Sequence, residues 1–149
     1  MLVGIKPCIC PDLLYTLARM GHGDELVIVD AYYPSYSNNS NVIRCDGSDV
    51  SDLLDGVLSL MNPDSYVSAP VTMMEPSNGD LPDPQVASDF RAAIDRHWPE
   101  TPPIAYMERQ SFLARSRKAF AIVQTGETRK YGNIILKKGV IPLDVASGS

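Results

Sequence analysis

The chain has 149 residues, of which 44% are hydrophobic and 21% are charged, and its formal net charge at pH 7 is −5. These values are typical of one globular domain and exclude disordered, collagen-like, coiled-coil and low-complexity proteins. The sequence has no apolar run near the roughly 20 residues of a membrane span, and no signal-peptide pattern. We therefore expect one cytoplasmic domain over residues 1–149, with residues 145–149 as a loose tail.

Hydrophobic periodicity predicts strands that alternate with helices along the chain. The clearest helix has apolar residues at 50, 53, 54, 57, 58 and 61. In chain order the predicted elements are helix 11–20, strand 26–29, strand 42–45, helix 50–61, strand 70–74, helix 84–97, strand 104–108, helix 110–118, strand 120–124 and strand 134–137. This order predicts an α/β fold, a three-layer α/β/α sandwich around a mostly parallel or mixed sheet.

The cysteines and the charge distribution narrow the set of partners. Three cysteines without paired C-x2-C spacing predict reduced thiols rather than disulfides or a zinc site. Eight bases and one acid fall within residues 109–138, so this segment carries +7 and the rest of the chain −12. An anion site, an RNA patch, a solvated face or a subunit contact would each explain this segment. We favour a subunit contact, because no aromatic residues interleave with the bases and the net charge disfavours nucleic acid.

Two places in the predicted sheet are candidates for a ligand site. Ligands of such sheets bind at loops beyond the carboxyl ends of strands. Asp30 follows the first strand and precedes a tyrosine-rich loop at 32–41, and residues 131–133 precede the last strand. The phosphate-binding, dinucleotide-binding and serine-hydrolase motifs are absent from the sequence. The site therefore suits a small polar molecule.

Each candidate residue also has a purely structural explanation. His22, between two glycines, is either an exposed loop residue or a general acid/base. Arg109 either pairs with Glu108 or donates hydrogen bonds to ligand oxygens. Asp30 and Asn133 either shape turns or bind hydroxyl groups. From the residues alone these alternatives stay open.

Four segments spread over nearly the whole chain carry a recognisable pattern. They are LARMGHGDELVIVDA at 17–31, IRCDG at 43–47, KAFAIVQTGE at 118–127 and YGNIILKKG at 131–139. These segments resemble the sequence pattern of the fucose mutarotase / ribose pyranase (RbsD/FucU) family. They occur in the family's order, and the chain has the family's length. Arginine at position 109 makes the chain more similar to the fucose branch of the family than to the ribose branch, which tends to have histidine there.

The resemblance implies an RbsD-like fold and a cytoplasmic isomerase that acts on a monosaccharide without cofactor or metal. It also implies a homo-oligomer, a ring such as a decamer or a smaller assembly, with the site near a subunit boundary. Neither nucleic acid nor membrane is an expected partner. The implied proton donor is His22, and the implied sugar-binding residues are Asp30, Arg109, Tyr131, Gly132 and Asn133.

Mutarotation requires only that one proton reach the ring oxygen and one leave the anomeric hydroxyl, a task for positioned acid–base groups. We therefore expect a mutarotase for L-fucose or a related sugar. The sequence departs from the family pattern at two places. Leu113 stands where many members of the fucose branch have tyrosine, and Tyr32-Tyr33 stands where relatives often have histidine or asparagine followed by phenylalanine. They leave two alternatives, a sugar-binding accessory protein with weak or lost turnover and a pyranose–furanose isomerase.

Overall fold

The computed structural model describes residues 1–146, in which five helices accompany one six-stranded sheet. The helices are α1 (Pro11–Arg19), α2 (Val50–Leu58), α3 (Pro84–His97), α4 (Arg109–Lys118) and α5 (Leu143–Ala146). The strands are β1 (Glu25–Val29), β2 (Val42–Cys45), β3 (Val71–Met74), β4 (Ala105–Met107), β5 (Ala121–Thr125) and β6 (Ile134–Lys137). Every predicted element is present. Residues 145 and 146 of the expected tail lie in α5, and residues 147–149 lie outside the described residues.

The strand order across the sheet is β2-β5-β1-β6-β3-β4, and only β6 is antiparallel to its neighbours. The predicted mixed, mostly parallel sheet is thus confirmed. Because β6 runs in the opposite direction, its first residue lies at the same edge of the sheet as the last residues of the other five strands. We name this side of the sheet the carboxyl edge and the opposite side the amino edge.

Alternate residues of the central strands face two different helical layers. Leu26 and Ile28 of β1 pack in one apolar cluster with α1, α2 and α3. Val27 and Val29 pack in a second cluster with Phe112 of α4. The three-layer sandwich is thus confirmed, with three helices on one face of the sheet and α4 on the other.

Side chains define where the helices near the two edges begin and end. The Glu108 carboxylate caps α4 by accepting hydrogen bonds from the main-chain N–H groups of Gln110 and Ser111. At the end of α1, the Lys138 ammonium donates to the carbonyl oxygens of Leu17 and Met20. The first contact places Arg109 at the carboxyl edge, and the second ties the loop after α1 to the end of β6.

None of the helices within residues 1–146 is both long and apolar enough to cross a membrane. The longest, α3, has 14 residues, whereas a span requires about 20. All three cysteines are free thiols, as predicted.

Candidate active site

A cavity of about 190 Å³ opens at the carboxyl edge of the sheet. It lies below the roughly 300–1,000 Å³ of pockets for drug-sized ligands, so it suits a molecule about as large as one sugar ring. Its walls come from the loop after β1, the last residue of β3, the first residue of α4 and the loop before β6. The lining residues are Asp30, Tyr32, Tyr33, Pro34, Met74, Arg109, Lys130, Tyr131 and Asn133.

Four of the five predicted sugar-binding residues line this cavity, and the fifth, Gly132, joins two of them. The four are Asp30, Arg109, Tyr131 and Asn133. They come from three separate segments of the chain, yet they meet because the carboxyl ends of β1 and β4 and the amino end of β6 share one edge. The direction of β6 is therefore what brings the 131–133 segment to Asp30.

Asp30 is buried, with 4% of its surface exposed. Its Oδ1 accepts a hydrogen bond from the Tyr32 N–H at 3.0 Å, and its own N–H donates to Asn133 Oδ1 at 2.9 Å. Burial raises the pKa of Asp30 above its ordinary value, and the charge of Glu127 acts in the same direction. Hydrogen bonds from Tyr32, Asn133 and Gly132 only partly offset this rise. Asp30 thus shapes a turn and also presents a carboxyl group to the cavity.

The 131–133 segment is held in an unusual backbone conformation. Tyr131 has a φ of 61°, a value that non-glycine residues seldom adopt. Its hydroxyl donates to Asp80 Oδ2 at 2.9 Å and accepts from the Ser77 N–H at 3.2 Å. At Gly132 a Cβ would stand 3.1 Å from Glu127 Cγ and 3.2 Å from the Arg129 carbonyl oxygen. Gly132 therefore permits a close approach that a larger residue would obstruct.

Arg109 begins α4 and lies exposed beside the cavity. Its sequence neighbour Glu108 caps the helix, so the Glu108–Arg109 pair considered from the sequence is not formed. Within residues 1–146 no carboxylate lies within salt-bridge distance of Arg109. Its guanidinium donors are therefore available to ligand oxygens.

His22, the predicted proton donor, lies outside this cavity at the amino edge. The adjacent Gly23 N–H donates to the Lys138 carbonyl oxygen at 2.9 Å. His22 Nε2 is 3.1 Å from Asp64 Oδ1, and the imidazole meets the Tyr66 ring edge-on. The five residues of β1, roughly 16 Å long, separate it from the Asp30 end of the strand. The His22 side chain is 44% exposed, so it can meet another molecule.

The two departures from the family pattern have different surroundings. Tyr32 and Tyr33 line the cavity. Tyr33 is 7% exposed, and its hydroxyl donates to Ser116 Oγ at 2.7 Å. Leu113 is buried in the apolar cluster that contains Tyr33 and does not line the cavity. Position 113 therefore belongs, with leucine, to the packing behind the cavity wall.

Met74 and Lys130 also line the cavity, although neither was predicted from the sequence to do so. Met74 ends β3, so the rule for ligands at the carboxyl ends of strands would have included it once the strand was placed in the sheet. No sequence pattern predicts that Lys130 lines the cavity, because its position depends on an ion pair between its ammonium and Asp80, at 3.0 Å. That contact joins residues 50 positions apart in the chain.

Three of the eight bases in the basic segment pair with acids of the same chain. Arg115 pairs with Glu25, Arg129 with Glu127 and Asp89, and Lys130 with Asp80. For the other five bases no ion pair is formed within residues 1–146, so the preference for a subunit contact stays a prediction. Within residues 1–146 no group of three or more His, Cys, Asp or Glu side chains is placed to hold a metal ion.

Comparisons with known proteins agree with this architecture. The RbsD / FucU transport protein family matches residues 3–141. L-fucose mutarotase from Actinobacillus pleuropneumoniae is 50% identical over 143 residues, which cover 96% of this chain and 99% of the relative. L-fucose mutarotase from Haemophilus influenzae is 47% identical with the same coverage.

Solved structures extend the likeness to three dimensions. The fucose mutarotase in complex with L-fucose from Streptococcus pneumoniae has a TM-score of 0.89 and 48% identity, covering 95% of this chain and 100% of that one. FucU from Bifidobacterium longum has a TM-score of 0.89 and 34% identity, and the match covers 93% of this chain and 99% of that one. Bacillus subtilis RbsD complexed with D-ribose shares the fold. It is 23% identical, with a TM-score of 0.70, and the match covers 90% of this chain and 95% of that one. By sequence and by structure, the chain belongs to the RbsD / FucU family.

Proposed function

We propose that the protein is an isomerase that interconverts the anomers of L-fucose without a cofactor. The observation that carries this proposal is the convergence of Asp30, Arg109 and Asn133 on one cavity of sugar-ring size. The chain shares this architecture with a fucose mutarotase solved in complex with L-fucose. It is also about half identical to relatives named L-fucose mutarotase.

The cavity offers a sugar both charged and aromatic contacts. The Asp30 carboxyl group can accept hydrogen bonds from hydroxyls, and the Arg109 guanidinium can donate to sugar oxygens. The Tyr32 and Tyr131 side chains offer flat apolar surfaces for the C–H face of the ring. Such contacts would hold the non-reacting part of the sugar while the anomeric carbon changes configuration.

In the proposed reaction, protonated His22 gives a proton to the ring oxygen as the C1–O5 bond breaks, and the bonding pair goes to O5. The O1 hydroxyl loses its proton to water, and its bonding electrons form the C1=O double bond. Rotation about the C1–C2 bond and the reverse steps then close the ring on the other face. One proton enters and one leaves, so the reaction is balanced.

For this reaction His22 must come from a second copy of the chain, because β1 separates it from the cavity of its own copy. Large exposed apolar side chains are present at both edges. The amino edge exposes Tyr66, Val140 and Ile141, and the carboxyl edge exposes Tyr32 and Tyr36. Contact between the amino edge of one copy and the carboxyl edge of the next is heterologous and, when the rotation closes, forms a ring. We therefore propose a ring-type homo-oligomer.

Exchange NMR on the anomers of L-fucose, D-galactose, D-ribose and L-rhamnose tests the activity. We expect catalysed exchange with L-fucose, and a loss of about 10²–10⁴-fold in His22→Ala, the usual contribution of a positioned acid. Exchange no faster than in buffer would refute the enzyme, and a change of ring size with ribose alone would favour the pyranose–furanose isomerase.

A non-catalytic sugar-binding protein was suggested by Leu113 alone. Leu113 packs in the apolar cluster and does not line the cavity, whose polar residues Asp30, Arg109 and Asn133 are all present, and we therefore retain the enzyme. We also propose that the protein acts in the cytoplasm, where free thiols such as Cys10 and Cys45, with sulfur atoms 3.9 Å apart, persist in the reduced state.

A further inference from the structure

A tight turn in the loop between β3 and α3 contacts the hydroxyl of Tyr131. The turn spans residues 77–80, and the Asp80 N–H donates to the Ser77 carbonyl oxygen at 2.9 Å. Its two central residues, Asn78 and Gly79, have φ values of 50° and 73°. Positive φ at both central positions is typical of a type I′ turn, and Asn-Gly is the dipeptide that favours this conformation. The shape of the 77–80 turn is therefore set by its local sequence.

Both ends of the 77–80 turn contact the same oxygen atom. The Ser77 N–H donates to the Tyr131 hydroxyl at 3.2 Å, and that hydroxyl donates to Asp80 Oδ2 at 2.9 Å. A phenol has one O–H hydrogen, so these contacts leave none that the Tyr131 hydroxyl could donate to a sugar. Tyr131 nevertheless lines the cavity, and what its side chain offers a ligand there is the ring.

Asp80 also holds the neighbouring cavity residue. The Lys130 ammonium lies 3.1 Å from Asp80 Oδ1 and 3.0 Å from Oδ2. Hydrogen bonds from Lys130, Tyr131 and the Leu81 N–H lower the pKa of Asp80, so it accepts them as a carboxylate at neutral pH. The Tyr131 backbone, with its φ of 61°, keeps such a conformation only where its surroundings fix it. Two consecutive cavity residues are thus held by one side chain that does not itself line the cavity.

We propose that Asp80 is a positioning residue that, with the 77–80 turn, clamps the Tyr131 hydroxyl and so holds the Tyr131 ring as a fixed wall against the sugar. The inference rests on the proposed function and adds a role for a side chain outside the cavity. In this arrangement the Tyr131 hydroxyl neither binds the sugar nor transfers a proton. Because the wall contacts the sugar equally before and during ring opening, its loss lowers affinity and leaves the chemical step unchanged.

The concentration dependence of L-fucose exchange separates affinity from turnover. We expect Asp80→Ala to raise KM about tenfold, the usual effect of losing a hydrogen bond to a charged group, and to leave kcat within about twofold. Asp80→Asn, which keeps an acceptor oxygen for the Tyr131 hydroxyl, should raise KM less. Ser77→Ala is the matched control, because it keeps the main-chain N–H and should leave KM unchanged. An unchanged KM in Asp80→Ala, or a lower kcat with an unchanged KM, would overturn the proposal.

A double-mutant cycle shows whether the Tyr131 hydroxyl acts through Asp80. Tyr131→Phe keeps the ring and removes the hydroxyl, so we expect a rise in KM similar to that in Asp80→Ala. The double variant should have nearly the same KM as either single variant, because both substitutions remove one contact. If the hydroxyl bound the sugar directly, the two effects on KM would multiply, and that result would contradict the clamp.

A change in the turn itself should have the same effect as the loss of Asp80. A Cβ on Gly79 meets no atom within 4 Å, but the φ of 73° makes alanine unfavourable there. We therefore expect Gly79→Ala to raise KM. Gly4→Ala is the matched control, because Gly4 has a φ of 80°, equal space for a Cβ and no place in the cavity lining. Equal KM values in the two glycine variants would contradict the role of the 77–80 turn.

NMR of protein labelled with ¹³C-tyrosine reads the clamp without turnover. The Tyr131 Cζ signal, identified by its absence in Tyr131→Phe, should move in Asp80→Ala and stay in place in Ser77→Ala. A signal that does not respond to Asp80→Ala would show that the carboxylate does not hold the hydroxyl, and would overturn the proposal. A wild-type protein that leaves L-fucose exchange at the rate in buffer would refute the proposed function, whereas the Cζ signal tests the clamp independently.

The variants should all fold, so that changes in KM report on the site. The Asp80 side chain is 38% exposed, and exposed ion pairs contribute little to stability, so the Tm of Asp80→Ala should lie within about 3 °C of the wild-type value. If Asp80→Ala does not fold, Tyr131→Phe and Gly79→Ala decide, because they remove the same contact without changing Asp80.

Discussion

Asp30 is a carboxyl group that folding buries without an ion pair within the described residues. Its surroundings supply hydrogen bonds from Tyr32, Asn133 and Gly132, but its pKa remains raised because burial disfavours the charged form. A buried carboxylate without an ion pair does not stabilise a folded core. We attribute the position to the proposed sugar binding, and the buried group costs the folded protein stability when it is ionised.

We expect Asp30→Asn to abolish anomer exchange and to raise the Tm at pH 7. A raised pKa means that the folded protein binds this proton more readily than the unfolded chain, so the cost of Asp30 grows as pH rises through the folded pKa and disappears below the unfolded value near 3.8. The gain in Tm should therefore shrink between pH 7 and about pH 4. Scanning calorimetry at both pH values measures it, and a lower Tm at pH 7 would contradict the explanation.

The thiols of Cys8 and Cys45 are protected from ionisation. Burial raises the pKa of Cys8 to about 11, with a contribution from Asp52. Burial and the neighbouring Cys10 thiol raise the pKa of Cys45 to about 12. Both groups are therefore neutral at physiological pH, which favours packing over redox or nucleophilic chemistry.

At pH 7.5 we expect iodoacetamide to modify Cys8 about a hundredfold more slowly than an unperturbed thiol, because the thiolate is the reacting form, and Cys45 more slowly still. Mass spectrometry of native protein, with urea-unfolded protein as the control, measures the rates. Rates in the folded protein equal to those in urea would show that burial does not protect these thiols.

At the scale of elements, the turn after β5 crosses directly over the turn after β2. The Gly126 N–H donates to the Ser48 carbonyl oxygen at 2.9 Å. A Cβ on Gly126 would stand 2.1 Å from the Asp46 carbonyl oxygen, so alanine fits only if the backbone moves. This crossing supports the loop that leads from β5 to the cavity residue Tyr131.

Gly126→Ala should lower the free energy of unfolding by about 1–3 kcal/mol, the usual effect of overpacking. Urea unfolding measures this change, and Tm should fall by several degrees at roughly 2–4 °C per kcal/mol. Gly47→Ala, in the neighbouring turn, is the matched control, because a Cβ there meets nothing within 4 Å. Equal stabilities of the two variants would contradict the packing argument.

Helices and strands could be predicted from local periodicity, because burial on one face of a helix or on both faces of a strand repeats within a few residues. The direction of β6 could not. Ile134, Ile135 and Leu136 are all buried, and such a run has the same pattern whether the strand is parallel or antiparallel. Its antiparallel pairing with β1 and β3 depends on residues far away in the chain.

At the scale of the whole molecule, the proposed site requires two edges that never meet in one copy. Asp30 and Arg109 lie at the carboxyl edge, and His22 lies at the amino edge beside exposed Tyr66. Exposed apolar side chains at both edges favour association, and the bases of the basic segment other than Arg115, Arg129 and Lys130 are available for contacts between copies.

Mixing two inactive variants tests this arrangement. His22→Ala lacks the proposed proton donor, and Asp30→Asn lacks the carboxylate proposed to bind the sugar, so each homo-oligomer should be inactive. When the two are unfolded and refolded together, about a quarter of the sites should combine an intact Asp30 with an intact His22 of the neighbouring copy. Anomer-exchange NMR should detect this recovery. Activity of the mixture no higher than that of either variant would exclude a site shared between copies.

The amino-acid sequence by itself determined the elements, the family pattern and four residues that line the cavity, because these depend on local periodicity and on residue types at given positions. Only the tertiary structure decided that β6 runs backwards and brings Asn133 to Asp30, that Glu108 caps a helix instead of pairing with Arg109, and that β1 holds His22 away from the cavity. Those outcomes depend on which distant segments pair in the sheet. Such pairing is a property of the whole packed molecule, which local patterns along the chain do not specify.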